Sequence, residues 1–243
     1  MGPFVIWLLL VAIISETGSG VFERYQNKTP YGFEVVSDPS SKTNQRVEKF
    51  ELRSGDCATT EKLNDCDAGI ERSELRASVK NGESWVAWSV YLPEDYKVVY
   101  PTQTTLGNFV QSDNISILSF VNGSGGYGID HKVLGRPNAL WQFLIDGEMR
   151  GKWTNVLVHA NWTEKSDGFI RVYINGRSKP VYAYNGKTIA HDTEVFFNYG
   201  IARSKRAKST GNIPTQIVYY DNVKIGETCN ETTDRFKCGD IAN

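Results

Sequence analysis

Apolar and polar residues alternate along most of this chain, and the clearest case runs from Trp153 to Arg177. Val156, Val158, Ala160 and Trp162 fall on one face of a first run, and Ile170, Val172 and Ile174 on one face of a second. Between them lies the polar stretch Glu164-Lys165-Ser166-Asp167-Gly168, and Asn175-Gly176 follows the second run. A period of two, carried by β-branched and aromatic side chains and broken by Asp-Gly, predicts a β-hairpin. One face of such a hairpin must be covered by a second layer, which places it within a sheet of a sandwich.

The same reading predicts strands at Arg46–Arg53, Glu83–Leu92, Thr104–Gln111, Ile115–Val121, Ala139–Ile145, Glu194–Ala202 and Thr215–Ile225. Ser54–Gly69 and the glycine-rich Ser124–Gly135 read as loops. In Glu71–Val79 the charged Arg72, Glu74 and Arg76 stand at alternate positions opposite Leu75, Ala77 and Val79. A strand puts all three charges on one face, whereas a helix would scatter them. That face is either merely wet or the floor of a charged cleft. No helical periodicity persists anywhere, so the fold class is all-β, an antiparallel β-sandwich of jelly-roll type.

Composition adds a compartment. Pro3–Ile14 is apolar but too short to span a bilayer, and Thr17-Gly18-Ser19-Gly20 follows it. Residues 1–20 therefore read as a secretory leader and 21–243 as a single domain. Removing Glu16 with the leader leaves equal numbers of acidic and basic residues, so no global field points to nucleic acid or a membrane. The four cysteines form two equally spaced pairs, Cys57/Cys66 and Cys229/Cys238, and lack Cys-x-x-Cys metal spacing. In a secreted chain they predict two local disulfides. Sequons at Asn27, Asn114, Asn122, Asn161 and Asn230 predict N-glycosylation in the same pathway. The expectation is a secreted, extracellular monomer that requires no cofactor or metal.

Several segments resemble one family. Arg72-Ser73-Glu74-Leu75-Arg76 is similar to a strand of the jelly-roll polysaccharide lyases. Val47–Arg53 with Gly55-Asp56, Trp153-Thr154-Asn155, Asp167–Gly176 and Tyr219–Gly226 resemble the heparin lyase I and glucuronan lyase group. The resemblance implies a concave face that binds an acidic polysaccharide and cleaves it by β-elimination at a uronic acid. Such chemistry needs a cation or amide on the C5 carboxylate, a base for the C5 proton, and an acid for the departing O4.

Measured against that pattern, Asn108-Phe109-Val110 stands where the family has Gln-x-His, and Asn198-Tyr199-Gly200-Ile201-Ala202 stands for Lys-x-Gly-x-Tyr. Carboxylate-binding groups survive and the proton-transfer groups do not. Expected substrate-binding residues are Arg72, Glu74, Arg76, Asn108 and Asn198, with the basic stretch Arg203–Lys208 at the rim and Arg203 itself a ligand. Of His131, His159 and His191, the first is the best catalytic candidate because its loop would reach a cleft. Two functions remain open, a secreted lyase and a non-catalytic glycan-binding protein on the same fold.

Overall fold

The computed structural model describes residues 15–17, 20–41, 44–60, 63–112, 115–124, 126–204 and 213–241. Two antiparallel sheets pack face to face. The first holds, in spatial order, β1 (Ser15–Thr17), β2 (Gly20–Tyr25), β5 (Ile70–Val79), β14 (Val195–Ser204), β7 (Thr104–Gln111), β8 (Ser116–Asn122), β9 (Tyr127–His131) and β10 (Leu140–Ile145). The second holds β13 (Tyr182–Asn185), β12 (Phe169–Ile174), β11 (Trp153–Trp162), β6 (Gly82–Tyr91), β15 (Gln216–Gly226), β4 (Arg46–Leu52) and β3 (Phe33–Ser37). The predicted sandwich is present, with more strands than the alternation revealed.

The hairpin forms as expected: β11 and β12 pair with Val158 opposite Val172 and Val156 opposite Ile174. All five predicted apolar residues, Val156, Val158, Ile170, Val172 and Ile174, lie in the core between the sheets. Asn175 and Gly176 both take positive φ (52° and 74°), which a tight turn matching the strand twist demands. Aromatic rings fill the rest of that core, with Trp88 against Phe197 at 4.9 Å and Phe109 against Trp162 at 4.9 Å between ring centroids.

Two sequence expectations need correction, and a further strand departs from simple alternation. The glycine-rich stretch is no simple loop, because its centre is strand β9, with Tyr127, Ile129 and His131 buried toward the core. Ser54–Gly69 contains a short helix, α1 (Asp65–Ala68), started by the Asn64 side chain and ended by Gly69 at φ 66°. In β15 a bulge at Asn222, whose φ is 53°, turns Val223 rather than Asn222 to the core face of Tyr220.

Both predicted disulfides are present, Cys57–Cys66 and Cys229–Cys238. The second holds α2 (Cys229–Thr232) and the chain after it over the outer face of the second sheet. There Phe236 and Ile241 cover Trp85, Leu157 and Tyr173 as a satellite apolar cluster. The outer face of the first sheet carries no such apolar cluster among the described residues.

Candidate functional site

On a sheet, residues directly opposite each other across neighbouring strands point to the same side. The register of the first sheet therefore lines up one row across its outer face. Arg76 stands opposite Asn198, Asn198 opposite Asn108, Asn108 opposite Ser119, Ser119 opposite Asp130, and Asp130 opposite Trp141. Three predicted binding residues, Arg76, Asn108 and Asn198, are thus adjacent members of one row.

Their hydrogen bonds orient them. The Arg76 Nε donates to Asn198 Oδ1 at 2.8 Å, and its guanidinium lies over the Tyr25 ring at 3.6 Å and Phe196 at 4.9 Å. The Asn108 Oδ1 accepts from Ser116 Oγ and Ser119 Oγ, each at 3.0 Å. With its amide oxygen taken, the half-buried Asn108 has its NH₂ donors left to offer, whereas Asn198 is only 1 % exposed and stands behind it. A carboxylate, which only accepts, is the complementary ligand.

Asp130 ends the polar part of the row. Its Oδ1 is buried and has no hydrogen-bond partner among the described residues. Burial raises its pKa above the ordinary aspartate value, with Lys132 pulling the other way. Asn108 and Asp130 are two strands apart, roughly 9–10 Å between Cα atoms, so a sugar placed between them meets donors on one side and a base on the other.

Arg72 and Glu74 also face this side, lining a cavity of about 330 Å³ with Asn108, Thr105, Gln103 and Ala202. Arg72, however, is committed inward. It donates to Asp65 at 2.9 Å and Glu74 at 3.1 Å, so both arms of its fork already hold carboxylates. Glu74 is fully buried, and its carboxyl is pushed up by that burial, against the pull of Arg72 and Arg76. Arg72 is therefore the centre of a structural ion cluster at one end of the cleft, rather than the free carboxylate clamp expected from the sequence.

Arg203 is a second correction. It sits one residue past Ala202, so its side chain points through the sheet to the interior, where it is 2 % exposed. There it pairs with Glu71 at 2.7 Å and donates to Pro214 O and Gln216 Oε1. The remainder of the basic stretch, Lys205 to Lys208, lies outside the described residues.

His131 is the third. It shares the core face of β9 with Tyr127 and Ile129, is 1 % exposed, and its Nδ1 meets the Tyr182 hydroxyl at 2.6 Å. Burial lowers its pKa to about 4. That placement turns the ring to the core and away from the cleft, and a pH dependence of stability follows. Protonation favours the unfolded chain, so the stability His131 supports is complete above pH 6.5 and is lost as pH falls toward about 4. His131→Phe should shrink the loss of unfolding free energy between pH 7 and pH 4.5 by about 2 kcal/mol, read from urea midpoints. His159, by contrast, stacks on Trp85 at 3.7 Å on the far side of the second sheet and bonds Glu83.

The family's proton-transfer positions carry no substitute. Val110 pairs with Phe196 and Ala202 with Arg72, both on the cleft side, as parity in the sequence required. Tyr199 points the other way and donates to Glu48 at 2.8 Å inside the core, and Tyr220 is equally buried, donating to Gly200 O. Two of the sequon asparagines are enclosed in the folded chain. Asn27 and Asn122 are buried, the latter donating to Gly126 O. Asn230 is exposed and Asn161 half-buried, while Asn114 lies outside the described residues.

A family model described as polysaccharide lyase matches residues 141–224, which contain β11, β12 and β14. Among solved structures, the endo-β-1,4-glucuronan lyase of the fungus Trichoderma reesei matches with a TM-score of 0.64 and 16% identity, over 85% of this chain and 91% of that one. The chain has the jelly-roll fold of the polysaccharide lyases. An alginate lyase from Klebsiella pneumoniae matches with a TM-score of 0.56 and 10% identity, over 77% of this chain and 84% of its own. One from Pseudomonas aeruginosa gives 0.55 and 11%, over 82% and 86%. No curated protein sequence matches the chain.

Sequence reasoning missed Asp130, Ser119, Tyr25 and Trp141 on this face of the first sheet. Asp130 was hidden by the loop reading of its strand, and Tyr25 lies in β2, which carries no clear alternation. For Trp141 a signal existed: Trp141-Gln142-Phe143 alternates in the wrong sense for a strand whose even positions, Leu140 and Leu144, are apolar.

Proposed function

We propose that this protein is a secreted polysaccharide lyase that cleaves a uronic-acid polymer by β-elimination on the outer face of its first sheet. The row Arg76–Asn198–Asn108, a file of donors that leads across the sheet to the half-buried Asp130, whose Oδ1 has no hydrogen-bond partner among the described residues, carries the reading. Asn108 holds the substrate carboxylate and withdraws charge from C5, with the buried Asn198 and the Arg76 bonded to it reinforcing the field from behind. Asp130 removes the C5 proton as the C4–O4 bond breaks and the C4=C5 double bond forms, then returns that proton to O4. The glucuronan and alginate lyases that share the fold support acidic polymers as the substrate class. The leader expected at residues 1–20 and the two disulfides support an oxidising, extracellular setting.

A second reading is favoured by Val110 and Ala202, which leave the family's own acid and base positions empty. On that reading the cleft binds the glycan without cutting it. Incubating the protein with glucuronan, alginate and heparin, and following the absorbance of the unsaturated product, separates the two. Rising absorbance with one of them is expected; binding with no product would establish the non-catalytic reading.

A further inference from the structure

Beyond Asp130 the row changes character. Trp141 and Phe143 lie on edge strand β10 and rank among the few large apolar side chains in water, 43 % and 51 % exposed. Trp141 shares its side with Asp130, and Phe143 shares its side with Gly128. The missing side chain at Gly128 is what seats the indole: a Cβ there would come within 2.6 Å of the Trp141 ring. A large ring is thus laid against bare backbone, and Phe143 meets it edge-on at 5.8 Å. On its other flank Phe143 opens into a cavity of about 590 Å³ lined also by Arg177 and Lys179. Gln142 fixes that junction by donating to Val181 O at 2.6 Å.

We propose that Trp141 and Phe143 form a sugar-stacking subsite at the end of the cleft, and that Arg177 and Lys179 receive the acidic group of the sugar unit seated there. An aromatic face is electronegative, and the C–H bonds on one face of a pyranose are its complement. A cationic pocket directly beside such a platform selects an acidic sugar over a neutral one. The subsite is continuous with the proposed reaction site, three strands or roughly 14 Å from Asn108, so only a chain of several sugars spans both. This inference rests on the proposed binding of acidic polymers, and it adds that affinity grows with chain length through this end.

The test titrates glucuronan and alginate oligosaccharides of graded length, with neutral cello-oligosaccharides as controls, into the full chain by calorimetry. Wild type, Trp141→Ala, Trp141→Tyr, Arg177→Glu and Asn108→Ala are compared, each also sized by gel filtration. Wild type should prefer long acidic chains over short ones by tenfold or more. Trp141→Ala should abolish that preference, Trp141→Tyr should keep most of it, and Arg177→Glu should reduce it for acidic chains. Asn108→Ala should weaken short and long chains alike. If Asn108→Ala loses affinity while Trp141→Ala keeps the full length preference, the subsite is overturned and the proposed function stands. If wild type binds no acidic chain, both fall. A Trp141→Ala variant that turns a dimer into a monomer, with the length preference intact, would assign the patch to self-association instead.

Discussion

Asp130→Asn should abolish formation of unsaturated product while the polysaccharide still binds. The substitution keeps the size of the side chain and removes only its capacity to take a proton. A positioned general base contributes roughly 10²- to 10⁴-fold, so the catalytic rate should fall at least a hundredfold with binding changed less than threefold. The wild-type pH profile should carry the same signature. The base works only when ionised, and burial raises its pKa, so the rate should rise with pH through a value above that of an ordinary aspartate. A raised value suits the task better than a normal one, because a carboxylate of ordinary acidity is a feeble base toward carbon. Lys132 limits the rise, and Lys132→Met should shift the ascending limb to higher pH. If Asp130→Asn retained more than a tenth of the wild-type rate, the base would have to be sought elsewhere on this face, with the Tyr25 hydroxyl the next group to replace.

What the sequence disclosed follows from how strongly each strand is patterned. Where one face is buried and the other polar, as in β11, β12 and β5, alternation located both the strand and the side chains on each face. Parity alone then placed Arg76 and Asn198 on the cleft side, and the register agrees. The pattern failed where the cleft itself breaks the rule. Gly128, outward in β9, and Gly126, just before the strand, lie against Trp141 and Phe143, and a segment with glycines at these positions reads as a loop. Asp130 and the core placement of His131 were lost with it. Arg72 was assigned to the correct face but given the wrong task, because its partner Asp65 lies in the disulfide-closed loop, a contact that no periodicity encodes. Ion pairing between a strand and the loop beside it is a part of a site that one chain read alone conceals.

Arg203 shows the same limit with a larger energetic consequence. Replacing it with alanine should destabilise the fold by about 3–5 kcal/mol, the cost of leaving a buried carboxylate without its partner. The pair is wholly enclosed, with 0 % of the Arg203 side chain and 2 % of the Glu71 side chain exposed, so solvent cannot compensate. Each partner also holds backbone. Glu71 Oε1 accepts from Gly55 N at 2.7 Å, and Arg203 Nη1 donates to Pro214 O at 2.7 Å, which ties the turn after β4 and the entry to β15 onto β5 and β14. Gln216, which accepts from Arg203 at 3.0 Å, passes the connection on to Tyr96 at 2.8 Å. Removing both charges together is a different experiment. Glu71→Leu with Arg203→Met leaves no orphaned ion, and it should cost well under the single change, because an apolar pair of similar volume escapes the desolvation penalty. Urea unfolding of the two single variants and the double closes the cycle. A rim residue would behave in the opposite way, with Arg203→Ala leaving the unfolding midpoint unchanged and weakening acidic-glycan binding. That result would return Arg203 to the cleft and require the chain after Ala202 to run one residue out of the register described here.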